Sequence, residues 1–83
     1  MIPPMASHEL PSSLSAFVRQ HRKRLGYTQV AFADRAGVGL RFLRELERGK
    51  PTLRMDKVNE VLAFFGHELG PVPRPRSYLD LDA

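Results

Sequence analysis

The 83 residues suit one small domain, and thirteen Lys/Arg against nine Asp/Glu give a net charge of +4 and an isoelectric point near 10.1. The absence of cysteine excludes disulfides within the chain and thiolate metal sites. No apolar run approaches the roughly 18 residues that span a bilayer, and the opening MIPPMASHEL lacks the basic and apolar regions of a signal peptide, so a cytoplasmic location is expected.

Residues 1–11 contain Pro3, Pro4 and Pro11 without periodicity and read as a disordered arm. The arm has no Lys or Arg, so it is not read as reaching into a nucleic acid. A first helix is expected from Ser12 or Ser13, either of which can cap it, to about Leu25. Leu14, Phe17, Val18, His21 and Leu25 recur at three- and four-residue spacing and form one stripe. Arg19, Arg22, Lys23 and Arg24 gather in its last turns, where cations meet the negative end of the helix dipole. Gly26 ends it.

A second helix is expected from an N-cap at Thr28 to Arg35 or Ala36, with Phe32, Ala33 and Ala36 inward and Tyr27 packing back from outside the cap. The small Ala33 and Ala36 allow close approach of a crossing helix. After a tight turn at Gly37-Val38-Gly39, a third helix runs from Leu40 to Arg48. Val38, Leu43 and Leu46 point inward, which leaves Leu40, Arg41, Arg44, Glu45 and Arg48 on the outer face. Gly49 and Pro51 stop it. A fourth helix spans Met55 to Phe65 with Met55, Val58, Val61, Leu62 and Phe65 as its stripe; Phe64 lies beside the stripe and reads as an exposed aromatic. Beyond Gly66, Pro71, Pro73 and Pro75 forbid a helix. His67 to Val72 could form a short edge strand, and Ser77 to Asp82 is either disordered or a short docking segment. The expected domains are therefore an arm at 1–11, a helical domain at 12–66 and an extension at 67–83.

Residues 19–57 hold eleven basic and four acidic residues, whereas 58–83 hold two basic and four acidic. A basic body with a mildly acidic tail points to a polyanionic partner. Catalysis finds no support. His8, His21 and His67 lie far apart and lack metal-ligand spacing, so no metal or cofactor is expected. Gly37 and Gly39 sit between helices rather than after a strand, which rules out a phosphate loop. No serine occupies a nucleophile elbow.

A capped helix, a glycine turn and a second helix with a polar outer face together describe a helix-turn-helix. In that motif the second helix enters the major groove and presents its N-terminal residues to base edges, here Leu40, Arg41 and Arg44. Arginine can donate two hydrogen bonds to guanine, worth roughly 1–3 kcal/mol of discrimination. Leu40 offers only apolar contact. Gln29 and the free N–H groups at the start of the second helix suit a phosphate, and Arg48, Lys50 and Arg54 extend the phosphate track.

The run LGYTQVAFADRAGVGLRFLRELERGK, followed by a helix ending VLAFFG, resembles the Cro/phage-repressor-like (XRE) helix-turn-helix family. Thr28-Gln29, Ala33, Gly37-Val38 and Glu47-Arg48-Gly49 carry the likeness, which covers residues 14–66. More narrowly, FLRELERGKPTLRMDKVNEVLAFFGHEL is similar to HipB-type antitoxins. The resemblance implies an all-α, compact four-helix, lambda-repressor-like domain, with a short C-terminal β-strand pairing across a dimer at His67 to Val72. It implies a structural ion pair between Arg22 and Glu47. It also implies base-facing Gly39, Leu40, Arg41 and Arg44, with phosphate contacts from Thr28, Gln29, Arg48, Lys50 and Arg54. Leu at 40 and Phe at 42 depart from the polar residues common there; Phe42 could pack beneath the second helix or protrude at the groove. The implied protein is a homodimeric repressor of an operator with two half-sites, and an antitoxin binding a HipA-like kinase toxin. A free-standing regulator and a protein-interaction module on the same fold are the alternatives. RNA binding is disfavoured by the few exposed aromatics.

Overall fold

The computed structural model describes residues 13–74, which form four helices: α1 (Ser13–Arg24), α2 (Gln29–Ala36), α3 (Leu40–Glu47) and α4 (Met55–Ala63). The chain is all-α among the described residues. The expected arm at 1–11 and the segment from Ser77 lie outside them.

Local chemistry sets the ends of the helices. Thr28 caps α2: its extended backbone turns the chain, and its Oγ1 accepts a hydrogen bond from the Ala31 N–H at 3.1 Å. Gly37 ends α2 in the left-handed region, at φ 78°. There the Gly37 and Val38 N–H groups both donate to the Ala33 carbonyl at 3.0 Å, closing the last turn as a Schellman motif. The same i+5 to i bond recurs after α1, α3 and α4, each time beside a glycine of positive φ. Four short helices are thus cut at defined lengths, and each reversal sends the next helix back across the core.

Among the described residues, nine buried apolar side chains form that core: Val18 from α1, Phe32 and Ala33 from α2, Val38 from the turn, Leu43 and Leu46 from α3, and Val58, Val61 and Leu62 from α4. Helix α3 packs against both α1 and α2, so its inner face is enclosed and its outer face is held at a set angle. An aromatic layer lies beside this core. Phe32 stacks on Phe65 with ring centroids 5.3 Å apart and meets Phe64 edge-on at 5.1 Å. Phe64 also meets the edge of Tyr27, so its ring has partners within the chain, although it is about one-third exposed.

The structure departs from the periodic reading at several positions. Leu25 and Met55 continue apolar stripes in sequence but are 54% and 70% exposed. Each lies at a helix boundary, where the stripe has run past the neighbouring helix. Leu40, assigned outward, is partly buried and packs against the core, as does Phe42. Helices α3 and α4 end at Glu47 and Ala63 rather than Arg48 and Phe65. Residues 67–74 form no strand. The Leu69 N–H instead donates to Asn59 Oδ1 at 2.8 Å, and the His67 ring rests 4.8 Å from that of Phe17, so the chain folds back onto α4 and α1.

Phe32 is fully buried at the centre of both the core and the aromatic layer. Phe32→Ala should cost about 3–5 kcal/mol, a large share of what a domain this small can possess, and urea denaturation should show most of the variant unfolded at low denaturant. Gly37→Ala meets no atom within 4 Å, so its cost is the backbone term alone, about 1–2 kcal/mol.

Candidate nucleic-acid interface

The outer surface of α2, the Gly37–Gly39 turn and α3 is built around one buried ion pair. Arg22 on α1 and Glu47 at the end of α3 lie with Nε 2.7 Å from Oε2 and Nη2 3.0 Å from Oε1, a two-pronged contact. The third prong of the guanidinium, Nη1, donates to the Tyr27 carbonyl at 2.8 Å. Glu47 Oε1 also accepts from Gln29 Nε2 at 3.0 Å. One carboxylate therefore links the end of α3, the body of α1 and the first residue of α2. Both charges are nearly solvent-free, and no buried side-chain N or O atom among the described residues lacks a hydrogen-bond partner. Full satisfaction is the condition under which such a pair is tolerated in an interior.

Helix α3 then presents its outer face. Arg41 is 91% exposed at the side chain; its Nε lies 3.6 Å from Glu45 Oε2, four residues on. Glu45 also holds Lys50 Nζ at 3.4 Å. Arg44 and Arg48 are exposed, and Gly39 lies exposed at the N-cap with an extended backbone. Leu40 shows only part of its side chain. Arg54 reaches back to Asp56, with Nη2 2.6 Å from Oδ2; the hydrogen bond from Arg54 holds the Asp56 carboxyl below the usual carboxylate range. Both side chains of this pair are largely exposed, so it is one that a competing anion can open.

Thr28 and Gln29 stand at the start of α2. Thr28 Oγ1 is spent on its cap and the Gln29 side-chain amide donates to Glu47, while the backbone N–H groups of Gln29 and Val30 have no hydrogen-bond partner among the described residues. Periodicity missed one group. Arg19 and Lys23, read only as companions of a helix dipole, line a cleft shared with Gln29, Arg44 and Arg48, floored by Arg22 and Glu47. Arg19 Nη1 donates to the Glu47 backbone carbonyl at 2.7 Å. The signal was present in the sequence as a four-residue spacing between Arg19 and Lys23, one turn on the same face. The structure also brings His21 and His67 within 6.3 Å, ring centroid to centroid, though they are distant in sequence. No cluster of three or more potential metal ligands occurs among the described residues, and no helix among them is long and apolar enough to cross a membrane.

A capped helix, a glycine turn and a second helix with an enclosed inner face and a cationic outer face define a helix-turn-helix DNA-binding domain. The comparisons agree: the family model described as helix-turn-helix matches residues 18–70, and the chain belongs to that family, which indicates a DNA-binding regulator rather than an enzyme. It is 46% identical over 56 residues to an uncharacterized HTH-type transcriptional regulator, y4mF, of Sinorhizobium fredii, an alignment covering 68% of this chain and 74% of the relative. No solved structure matches it significantly.

Removing one member of the central pair strands the other charge. Arg22→Ala or Glu47→Ala should each destabilise the domain by about 3–5 kcal/mol, whereas replacing both with apolar residues of similar volume, Arg22→Met with Glu47→Leu, should recover most of that loss. Thermal melts of the three variants measure it. Equal losses for the single and double variants would contradict the account.

Proposed function

We propose that this chain is a sequence-specific transcription regulator that binds duplex DNA as a homodimer and represses its own operon. The observation that carries the reading is the contrast between the two faces of α3. Leu43, Leu46 and Glu47 are locked inside, while Arg41 projects almost wholly into solvent. A helix so held can enter a major groove without unfolding anything. Gly39, Leu40 and Arg41, at its start, face the bases, with Arg41 as the main reader. Thr28 and Gln29 offer the N-terminus of α2 to a phosphate. Arg48, Lys50 and Arg54 extend the contact, Lys50 and Arg54 exchanging their exposed carboxylate partners for phosphates. The regulator named among the relatives supports the same reading. A dimer would address two half-sites spaced by roughly one helical turn.

Arg41→Ala should reduce discrimination between the preferred site and a scrambled duplex by about 1–3 kcal/mol. Lys50→Ala should instead weaken binding to both duplexes alike and lower the salt dependence by roughly one phosphate contact. Fluorescence anisotropy over a salt series separates the two. If neither change alters binding, the assignment of the recognition face is wrong.

A finer reading rests on the run from Phe42 to Leu69, which is similar to HipB-type antitoxins. On that reading the regulator also holds a HipA-like kinase toxin, through a surface away from α3. A kinase-like protein encoded beside this one should then co-purify with it, and should remain bound when duplex DNA is added. If the two proteins elute separately at micromolar concentration, a free-standing regulator remains.

A further inference from the structure

The outer face of α3 is not uniform. Its charged residues fall into two stripes, each with four-residue spacing. Arg41 and Glu45 form one, joined by their 3.6 Å contact. Arg44 and Arg48 form the other and line the cleft between α3 and α1, opposite Arg19 and Lys23. Four cations therefore converge on one concavity from two helices. Its single carboxylate, Glu47, is already compensated by Arg22 and by the Gln29 amide. Arg19 is held in place by the Glu47 carbonyl. Lys23, Arg44 and Arg48 have no ion-pair partner among the described residues.

We infer that this cleft seats a backbone phosphate of the bound DNA, and that Arg44 is a phosphate clamp rather than a base reader. The inference rests on the DNA-binding reading above and changes its division of labour. The cleft is contiguous with Gln29, at the N-terminus of α2, so a phosphate entering it meets cationic donors from both α1 and α3 beside the first turn of α2. Oppositely charged groups already compensate its floor, so the phosphate adds the missing negative charge instead of displacing an existing partner. An Arg44 guanidinium seated on a phosphate in this cleft is not available to a base edge. The sequence places Arg44 with Arg41 as a reader because both lie on the polar half of the helix. The crossing of α1 divides that half in two. Direct readout then falls to Arg41, whose guanidinium lies 3.6 Å from the Glu45 carboxylate and is otherwise open to solvent.

The test uses the full chain and two duplexes, one selected by the wild-type protein from a random pool and one scrambled. Binding is measured across a salt series for wild type, Arg44→Ala, Arg44→Lys, Arg19→Ala with Lys23→Ala, and Arg41→Ala. Arg44→Ala should weaken both duplexes by the same factor and reduce the salt slope by about 0.9. Arg44→Lys should restore the slope, because a phosphate asks only for charge, whereas paired contacts to guanine need the guanidinium. The Arg19/Lys23 double variant should also lower the slope without changing the ratio between duplexes. Arg41→Ala should collapse that ratio. The inference is overturned if Arg44→Ala lowers the ratio as Arg41→Ala does, or leaves the slope unchanged, or is not rescued by Lys. Wild-type protein that binds neither duplex overturns the DNA-binding reading itself, and this inference with it.

Discussion

The Arg22–Glu47 pair is the contact on which the geometry of this protein depends. Taking two charges out of water costs several kcal/mol each. The fold offsets that cost with a two-pronged contact and with further hydrogen bonds to the Tyr27 carbonyl and from the Gln29 amide. Together these bonds tie α1 to α3, to the loop before α2 and, through Glu47, to the first residue of α2, so they are all satisfied only in a narrow range of placements of the three helices. An apolar core tolerates small slides of one helix over another. A carboxylate with three fixed donors does not. The pair thus supplies less net stability than its burial suggests, and more definition of where α3 points.

The apolar packing supplies the stability and complements this constraint. Helix α3 is only eight residues long, too short to persist alone in water. It exists because Leu43 and Leu46 insert between α1 and α2, with Val38 closing the turn behind them. Phe32 joins this core to the aromatic layer formed with Tyr27, Phe64 and Phe65. With its inner face spent on packing, α3 has its cationic side free for a ligand. The function proposed for the chain follows from this separation of faces, and the basic surface of the domain adds long-range attraction for a polyanion.

Electrostatics on the outer face are arranged in local pairs rather than as an open field of cations. Arg41, Lys50 and Arg54 each have a carboxylate within 4 Å. These are exposed contacts, individually weak and screened by salt. Arg44, Arg48 and Lys23 are not paired in this way among the described residues, and they converge on the cleft beside Glu47. The free protein thus combines exchangeable surface pairs with one concentrated site of positive charge.

Much of this was legible in the order of residues. Helical spacing located all four helices, and glycine and threonine marked their ends, because capping and left-handed turns are local chemistry settled within a few residues. The core residues Val18, Phe32, Leu43, Leu46, Val58, Val61 and Leu62 also lay on their stripes. Periodicity cannot say where a neighbouring helix stops, which is why Leu25 and Met55 looked internal and are exposed, and why Leu40 looked external and is half-buried. Nor does it relate residues on different helices. The family resemblance paired Arg22 with Glu47, and the structure shows that pair. The return of Leu69 to Asn59 depends on how the chain folds back after α4, and the convergence of Arg19 and Lys23 on Arg44 and Arg48 depends on the angle at which α1 crosses α3. The sequence determined that this chain would place a basic helix on its surface. The tertiary structure decided how that surface divides, because only the crossing of α1 determines which arginines share a cleft and which stand clear of it.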